Sequence, residues 1–148
     1  MVNSGLTIPF TGLRKQYNNL RQEILDATDE VLRSGQLMNG NYTAEFENWL
    51  ARRNHSKYAI TCHSGTQALE MALKVSIPQE SKVLIPGISF SATINSVLTA
   101  YHTPVFCDVD NNALIDLNTL NNNFEQMGIG GIMYPNLFGH IVDYDKFK

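Results

Sequence analysis

The sequence has no apolar run that approaches the roughly 18 residues needed to cross a bilayer. We also expect no secretory leader, because the amino-terminal MVNSGLTIPFTGLRK shows no basic stretch followed by an apolar one. Charged residues make up only 17% of the 148 residues, against about 25% in typical soluble domains. With 43% hydrophobic residues, the chain is too apolar for disorder and can build a core. We therefore expect a folded cytoplasmic protein.

The sequence also has no large excess of charge of either sign. The 11 basic and 14 acidic residues give a formal net charge of −3, which argues against a nucleic-acid surface and a polyanionic tail. Cysteine is scarce, since Cys62 and Cys107 are the only two. Both lie in apolar, strand-like stretches, which predicts buried free thiols in a reducing compartment. We expect neither a nucleic-acid nor a membrane partner.

The first third of the sequence has helical periodicity. Apolar residues recur every three or four positions, which predicts an amphipathic helix of about 20 residues that stops near Gly35. The apolar face consists of Leu13, Tyr17, Leu20, Ile24, Ala27 and Val31. The Gly- and Asn-rich segment 34–42 indicates a loop. We expect a shorter helix next, capped by Thr43 and buried on the side of Phe46, Trp49 and Leu50.

From Tyr58 onward, short apolar runs alternate with helical segments. The predicted strands are 58–61, 82–85, 105–109 and 131–134, and the predicted helices are 67–75, 92–101 and 117–126. This alternation predicts an α/β fold of three αβα layers, with a mostly parallel sheet covered on both faces. We divide the chain into a helical segment (1–57) and an α/β part (58–148). A further helix begins near Asp143 as the sequence ends, so we expect the first part of a longer fold.

The most informative segment is YAITCHSGTQALEMAL, residues 58–73. An apolar strand runs into Ser64, and a helix opens at once with Gly65, Thr66 and Gln67. The first N–H groups of a helix lack intrahelical acceptors and bind phosphate readily. The Thr66 hydroxyl adds a donor, and Gly65 allows close approach of the backbone. The alternative interpretation is an ordinary helix with a Ser/Thr cap after a tight turn.

Six segments resemble, in order and spacing, the N-terminal half of the DegT/StrS-type sugar aminotransferases, which are fold type I enzymes dependent on pyridoxal phosphate (PLP). The segments are IPFTGLRKQYNNL, RSGQLMNGNYTAEFE, KYAITCHSGTQAL, KVLIPGISFSATINSV, PVFCDVD and IMYPNLFGH. The resemblance implies the first portion of a PLP-binding large domain. It implies that residues 64–67 bind the cofactor phosphate, with Thr66 and the Gln67 N–H as the foremost ligands. It also implies that Phe90 stacks on the PLP ring and that Asn136 borders the substrate. For Phe90, a core aromatic is the alternative.

The resemblance also implies which chemical groups lie outside this sequence. The family uses a lysine that forms the Schiff base with PLP and an aspartate that pairs with the ring nitrogen. Both belong to a region after Lys148, so we predict no catalytic residue among these 148 and no turnover by the chain alone. The implied reaction transfers an amino group from an amino acid, usually glutamate, to a keto-sugar nucleotide.

Other functions stay open at this point. The family has a dehydratase branch, and the chain could be a non-catalytic remnant or an assembly partner of a full-length homologue. Half of a doubly wound sheet would leave an edge strand and an apolar face uncovered, which favours association. We therefore expect a homodimer or a complex with a homologue.

Three weaker signals are set aside. The Asp/Asn run at 108–112 starts like a calcium loop, but Ala113 and Thr119 stand where that loop needs Gly and a bidentate Glu, so we predict no metal site. The GIGG segment at 128–131 lacks the third glycine of a dinucleotide-binding turn. Three histidines have no ligand-like spacing and are predicted to lie at the surface or an interface: His55, His102 and His140.

Overall fold

The computed structural model describes residues 8–116, 125–143 and 145. Contacts divide the chain into two units, Met1–Thr61 and Cys62–Lys148, while our assignment of 1–57 and 58–148 to separate domains stays a prediction. The predicted helix 117–126 falls mostly outside the described residues, and its described end forms a 3-10 turn over Glu125–Met127. The helix predicted to begin near Asp143 also falls largely outside them. None of the described helices is long and apolar enough to span a membrane.

Helix α1 (Leu13–Ser34) confirms the first predicted helix and its end. Gly35 adopts φ 68°, in the left-handed region that glycine enters without strain, and its N–H donates to the Leu32 carbonyl at 3.3 Å. Although α1 is described in full, none of its residues is buried. The apolar face predicted from the sequence is therefore present on the helix but exposed.

Helix α2 (Asn41–Arg53) begins earlier than the sequence suggested. Gly40 occupies the cap position without a side-chain hydrogen bond, and the predicted cap Thr43 lies within the first turn. A Cβ on Gly40 would lie 2.8 Å from the Gln36 carbonyl oxygen, so the tight approach of the loop needs glycine here. This approach, rather than a polar cap, sets the start of the helix.

The predicted buried side of α2 is wrong for its aromatic residues. Phe46 and Trp49 are about half exposed, and their rings stack with centroids 6.0 Å apart. Leu50 is partly buried, and Ala51 is the buried residue of the helix. Two described helices offer too little surface to enclose two large rings, so the pair covers itself by stacking.

The predicted strand 58–61 does not form. The Thr61 N–H and hydroxyl both donate to Glu47 Oε1, at 2.8 and 2.9 Å, and these bonds lower the pKa of the Glu47 carboxyl. A side chain thus takes up hydrogen bonds that a neighbouring strand would otherwise accept. Tyr58 and Ile60 are exposed as a result. Cys62, which follows directly, is a free and exposed thiol, so the prediction of its burial is wrong.

The second unit holds a parallel sheet, as predicted. Strand β1 (Lys82–Pro86) lies in the middle, with β2 (Thr103–Cys107) on one side and β3 (Ile129–Ile132) on the other. Helix α3 (Gly65–Ser76) precedes β1, and helix α4 (Ser91–Thr99) connects β1 to β2. All three strands run in one direction, and the connection from β1 to β2 is a helical crossover through α4 rather than a hairpin.

Both faces of β1 are covered. Val83 and Ile85 pack on α3 and α4, in a cluster with Leu73, Val97 and Ala100. Leu84 points the other way, where Ile115 and Val142 cover it. This alternation follows from the two-residue period of a strand. The prediction of a sheet covered on both faces is confirmed for β1, and among the described residues the second cover consists of segments outside helices.

Cys107 is a free, half-buried thiol at the end of β2. Its Sγ donates to the Ile85 carbonyl at 3.5 Å, and burial raises the pKa of the Cys107 thiol. The prediction of two free thiols is therefore confirmed, whereas burial holds in part for Cys107 and fails for Cys62.

His102 is buried, with 5% of its surface exposed, so the prediction of a surface or interface position is wrong for this residue. Tyr101 takes a left-handed φ of 63° after α4, and the chain then turns inward, with the His102 N–H donating to the Val97 carbonyl at 3.0 Å. Neither ring nitrogen of His102 has a hydrogen-bond partner among the described residues. His55 and His140 are exposed, as predicted.

Substitution of Gly130 tests how closely β3 packs against Ser81. A Cβ at this position would lie 2.7 Å from the Ser81 Cβ, which cannot rotate away. We expect Gly130→Ala to lower the free energy of unfolding by about 1–3 kcal/mol in urea titrations. Gly65→Ala is the matched control, because its Cβ would meet nothing within 4 Å, and it should be neutral or stabilising. Equal stability of the two variants would contradict the close approach.

Substitution of His102 tests how much its buried ring nitrogens, which have no partner among the described residues, cost in stability. An unsatisfied buried polar group costs about 1–3 kcal/mol, so His102→Leu, which removes both nitrogens at similar volume, should retain or raise the stability measured by thermal unfolding. His102→Gln keeps polar atoms at the site and should be less stable than the leucine variant. A clear loss of stability in His102→Leu alone would mean that the ring nitrogens have partners.

Candidate functional site

The residues singled out in the sequence come together at one edge of the sheet. Parallel strands end at a common edge, and Phe90 follows the end of β1 while Asn136 follows the end of β3. Helix α3 packs beside α4 and leads through a short loop into β1, so the beginning of α3 at Ser64 lies at the same edge. In open α/β sheets, ligands bind outside the carboxyl ends of the strands.

The start of α3 is a well-formed cap. Ser64 has extended backbone angles (φ −157°, ψ 156°), and its Oγ accepts the Gln67 N–H at 3.2 Å. The Gln67 side chain in turn accepts the His63 N–H at 3.3 Å through Oε1. These two hydrogen bonds form the Ser-capped helix start that the sequence analysis gave as the alternative interpretation. They also engage the Gln67 N–H, which the resemblance had assigned to phosphate.

Unlike the Gln67 N–H, two other backbone N–H groups in the first turn can donate to a ligand. The N–H groups of Gly65 and Thr66 are the first two of α3, for which helix geometry provides no intrahelical acceptor. A Cβ on Gly65 would meet nothing within 4 Å, so open space lies in front of this turn. The half-buried Thr66 supplies a hydroxyl beside it. This end of the helix can accept an anion, favoured further by the helix dipole.

Phe90 is exposed over 69% of its surface, so the alternative of a core aromatic is wrong. It occupies the cap position of α4, where its carbonyl accepts the Thr93 N–H at 2.9 Å. The hydroxyls of Ser89 and buried Thr93 lie 2.6 Å apart in a further hydrogen bond. The backbone is therefore held on both sides of Phe90 while the ring stays accessible.

Our sequence reasoning missed the positioning role of Ser89 and Thr93. The signal was present in the segment SFSAT, where two hydroxyl residues four positions apart flank the start of a predicted helix. Such residues bond locally at helix starts rather than in helix interiors. The pattern could therefore have predicted a fixed backbone at Phe90.

Asn136 is exposed and has a structural bond of its own. Its Oδ1 accepts the Val142 N–H at 3.3 Å, which closes the loop between these residues. Within this loop, Phe138 has a left-handed φ of 56° and an exposed ring. The amide oxygen of Asn136 thus shapes the loop after β3.

The loop after β2 lies at the same edge of the sheet, but its Asp110 carboxylate accepts hydrogen bonds from within the loop. Asp110 Oδ1 accepts the N–H groups of Asn112 and Leu114, at 2.8 and 3.0 Å. Val109 and Ile115 form an isolated antiparallel bridge across the turn. In the described part of the chain, no three side chains of metal-ligating type lie close enough to share a metal ion.

Comparison with known proteins gives a consistent result. Residues 18–148 match the DegT/DnrJ/EryC1/StrS aminotransferase family. A curated relative, GDP-perosamine synthase of Escherichia coli O157:H7, is 33% identical over 141 residues, which cover 92% of this chain and 35% of the relative. The chain thus spans about a third of the length of that protein.

Solved structures agree in fold. The crystal structure of a DegT DnrJ EryC1 StrS aminotransferase from Brucella abortus matches with a TM-score of 0.80 and 26% identity, over 95% of this chain and 40% of that one. GDP-4-keto-6-deoxymannose-3-dehydratase, with a trapped PLP–glutamate geminal diamine, matches with a TM-score of 0.72 and 25% identity, over 83% of this chain and 34% of that one. The predicted α/β fold type is therefore confirmed.

Ser64 tests the local structure of the site. Ser64→Ala removes the acceptor for the Gln67 N–H and should destabilise the protein by about 1 kcal/mol in urea titrations. Ser64→Asp keeps an acceptor at the cap and should recover most of this loss. If Ser64→Ala unfolds at the same urea concentration as the parent, the hydroxyl does not cap α3.

Proposed function

The chain belongs to the DegT/DnrJ/EryC1/StrS aminotransferase family, and we propose that it forms the part of a PLP-dependent sugar aminotransferase that holds the cofactor phosphate and ring. The proposed reaction moves an amino group from an amino acid, with glutamate as the expected donor, to a keto-sugar nucleotide. The observation that carries the proposal is the open start of α3 at the same sheet edge as the exposed ring of Phe90.

The phosphate site fits a dianionic group. Gly65 and Thr66 supply backbone N–H donors, and the Thr66 hydroxyl supplies a third donor. Ser64 does not contact the phosphate itself, because its hydroxyl accepts the Gln67 N–H and thereby fixes the first turn of α3. We therefore revise the ligand set from Thr66 and Gln67 to Gly65 and Thr66, with Ser64 and Gln67 as positioning residues.

The ring site fits a flat aromatic group. When bound, PLP supplies an electron sink for reactions at the amino-bearing carbon. Phe90 offers an apolar face that holds such a ring by stacking, which contributes about 0.5–1.5 kcal/mol beyond area burial. The bond between Ser89 and Thr93 fixes the backbone and so limits the entropy that Phe90 loses on binding.

Asn136 is proposed to face the substrate. It follows β3 at the same edge and is exposed. Because its Oδ1 already accepts the Val142 N–H, contact with a sugar hydroxyl or carbonyl would fall to the amide nitrogen. In this arrangement Asn136 orients the substrate and does not move protons.

The proton-transferring groups are proposed to come from outside these 148 residues. None of the six lysines matches the family's catalytic lysine by the resemblance, so turnover requires further residues, from the same or a second polypeptide. The active assembly is proposed to be a cytoplasmic dimer. The dehydratase reaction is a second candidate, favoured by the similarity to GDP-4-keto-6-deoxymannose-3-dehydratase, and the residue at the lysine position would distinguish the two.

Binding of pyridoxamine phosphate tests the proposal without forming an imine on surface lysines. We expect the chain to bind pyridoxamine phosphate more tightly than pyridoxamine in calorimetric titrations, because only the former carries the phosphate. Thr66→Val should weaken the phosphorylated ligand about tenfold or more and leave the other unchanged, since a hydrogen bond to a charged group contributes about 1.5–3 kcal/mol. Phe90→Ala should weaken both ligands by a similar factor.

Thr99→Val serves as the matched control, because Thr99 is exposed at the far end of α4. It should bind both ligands like the parent chain. Equal affinity of the parent for the two ligands would contradict the phosphate site, and a loss in Phe90→Ala confined to the phosphorylated ligand would contradict ring stacking.

A further inference from the structure

The loop after β3 contains a tight turn with a phenylalanine at a position that disfavours it. The Leu137 carbonyl accepts the His140 N–H at 3.0 Å, which closes the turn. Both central residues of the turn are left-handed, with φ 56° and ψ 19° at Phe138 and φ 82° at Gly139. A type I′ turn has such angles, and its central positions favour glycine, asparagine and aspartate. Gly139 fits this preference and Phe138 does not.

This backbone conformation makes Phe138 unfavourable for the stability of the fold. In the left-handed region the Cβ of a residue crowds the following carbonyl oxygen, so a bulky residue is rare there. The ring gains little from packing, since 85% of the Phe138 surface is exposed. Residues held in such conformations are concentrated at ligand-binding sites, where the side chain serves a contact that the free fold does not show.

Tyr101 has the same combination of a left-handed backbone and an exposed ring, but for a local reason. It follows the end of α4 with φ 63°, and its N–H donates to the Leu98 carbonyl at 3.0 Å, which satisfies a carbonyl of the helix end. The Lys74 ammonium also lies 5.4 Å from the centroid of its ring. Among the described residues, Phe138 ends no α-helix and has no such cation.

The base of the loop that carries Phe138 is fixed against the core. Val142 is buried beside Leu84 of β1, and its N–H donates to Asn136 Oδ1 at 3.3 Å. The Asn136 carbonyl accepts the Gly139 N–H at 3.4 Å. An exposed ring thus stands on an anchored backbone, two residues after Asn136, at the edge where ligands of open α/β sheets bind.

The ring of Phe138 complements the amide of Asn136 in the same loop. A sugar presents hydroxyls together with a face of C–H groups, so it is held by polar side chains beside an apolar one. Ligand sites in general combine aromatic walls with a few polar groups that fix orientation. Phe90, which follows the neighbouring strand β1, is already assigned to the cofactor ring, so the second exposed aromatic at this edge is available to the substrate.

We propose that Phe138 is a substrate-contact residue, whose ring packs on the C–H face of the sugar in the keto-sugar nucleotide. The inference rests on the proposed function, from which it takes the class of substrate. Asparagine or glycine would suit the turn better but would offer the sugar no apolar face. Phe138 thereby discriminates a sugar nucleotide from the nucleotide alone.

Thermal unfolding of the full chain tests the cost of the turn. Phe138→Asn places the favoured Asn-Gly pair at the two central positions, so we expect the Tm to rise by about 2–4 °C. Phe138→Tyr keeps both the aromatic face and the unfavourable angles and should unfold at the same temperature as the parent. An unchanged or lowered Tm of Phe138→Asn would overturn the proposal, because the ring would then be held by the fold itself.

Calorimetric titration in saturating pyridoxamine phosphate tests the contact with sugar. The probes are GDP-mannose with GDP and UDP-N-acetylglucosamine with UDP, since the members of each pair differ in the sugar. We expect the parent to bind one sugar nucleotide about three- to tenfold more tightly than its nucleotide, as stacking allows. Phe138→Asn and Phe138→Gly should both lose this preference and keep the affinity for the nucleotide and for pyridoxamine phosphate. Phe138→Tyr should retain it.

Tyr101→Asn is the matched control, because Tyr101 is exposed and left-handed but precedes β2, at the opposite edge of the sheet. It should bind every probe like the parent. A parent without preference for either sugar nucleotide, or a Phe138→Asn variant that keeps the preference or loses nucleotide affinity equally, would overturn the role of Phe138. The proposed function fails separately, if the parent does not prefer pyridoxamine phosphate to pyridoxamine.

Discussion

The burial of strand β1 on both faces is the constraint on which the second unit depends. Val83 and Ile85 point to one side and Leu84 to the other, so α3 and α4 must cover one face and the segments around Ile115 and Val142 the other. Since β1 also has a parallel neighbour on each side, its direction decides where both neighbours end. A shift of one residue would exchange the two faces and expose the core.

That direction brings the starts of α3 and α4 and the loop after β3 to one edge, where local hydrogen bonds hold the backbone. Ser64 fixes the first turn of α3, Thr93 fixes the backbone at Phe90, and Asn136 closes the loop to Val142. The donors and the ring that a ligand would meet are left accessible. A backbone ordered before binding lowers the entropic cost of binding, which is why these capping bonds matter for function as well as for folding.

The first unit relies on different interactions. Polar side chains connect its parts, with the Tyr42 hydroxyl donating to Glu30 at 2.6 Å and Glu47 accepting two bonds from Thr61. Two helices cannot enclose large apolar side chains, so the stacked pair of Phe46 and Trp49 stays half exposed. The described helices of this unit therefore bury fewer apolar side chains than the sheet, whose core is closed around β1.

The sequence by itself determined the elements that depend on neighbours in the chain. Periodicity predicted α1 and its end at Gly35, the order of β1, α4 and β2, and the helix that opens after Ser64, because periodicity, caps and turns are local. Only the tertiary structure decided which segments pair and which side chains are buried. It left 58–61 without a strand partner, buried His102 and exposed Phe90, because burial and strand pairing depend on residues distant in the chain.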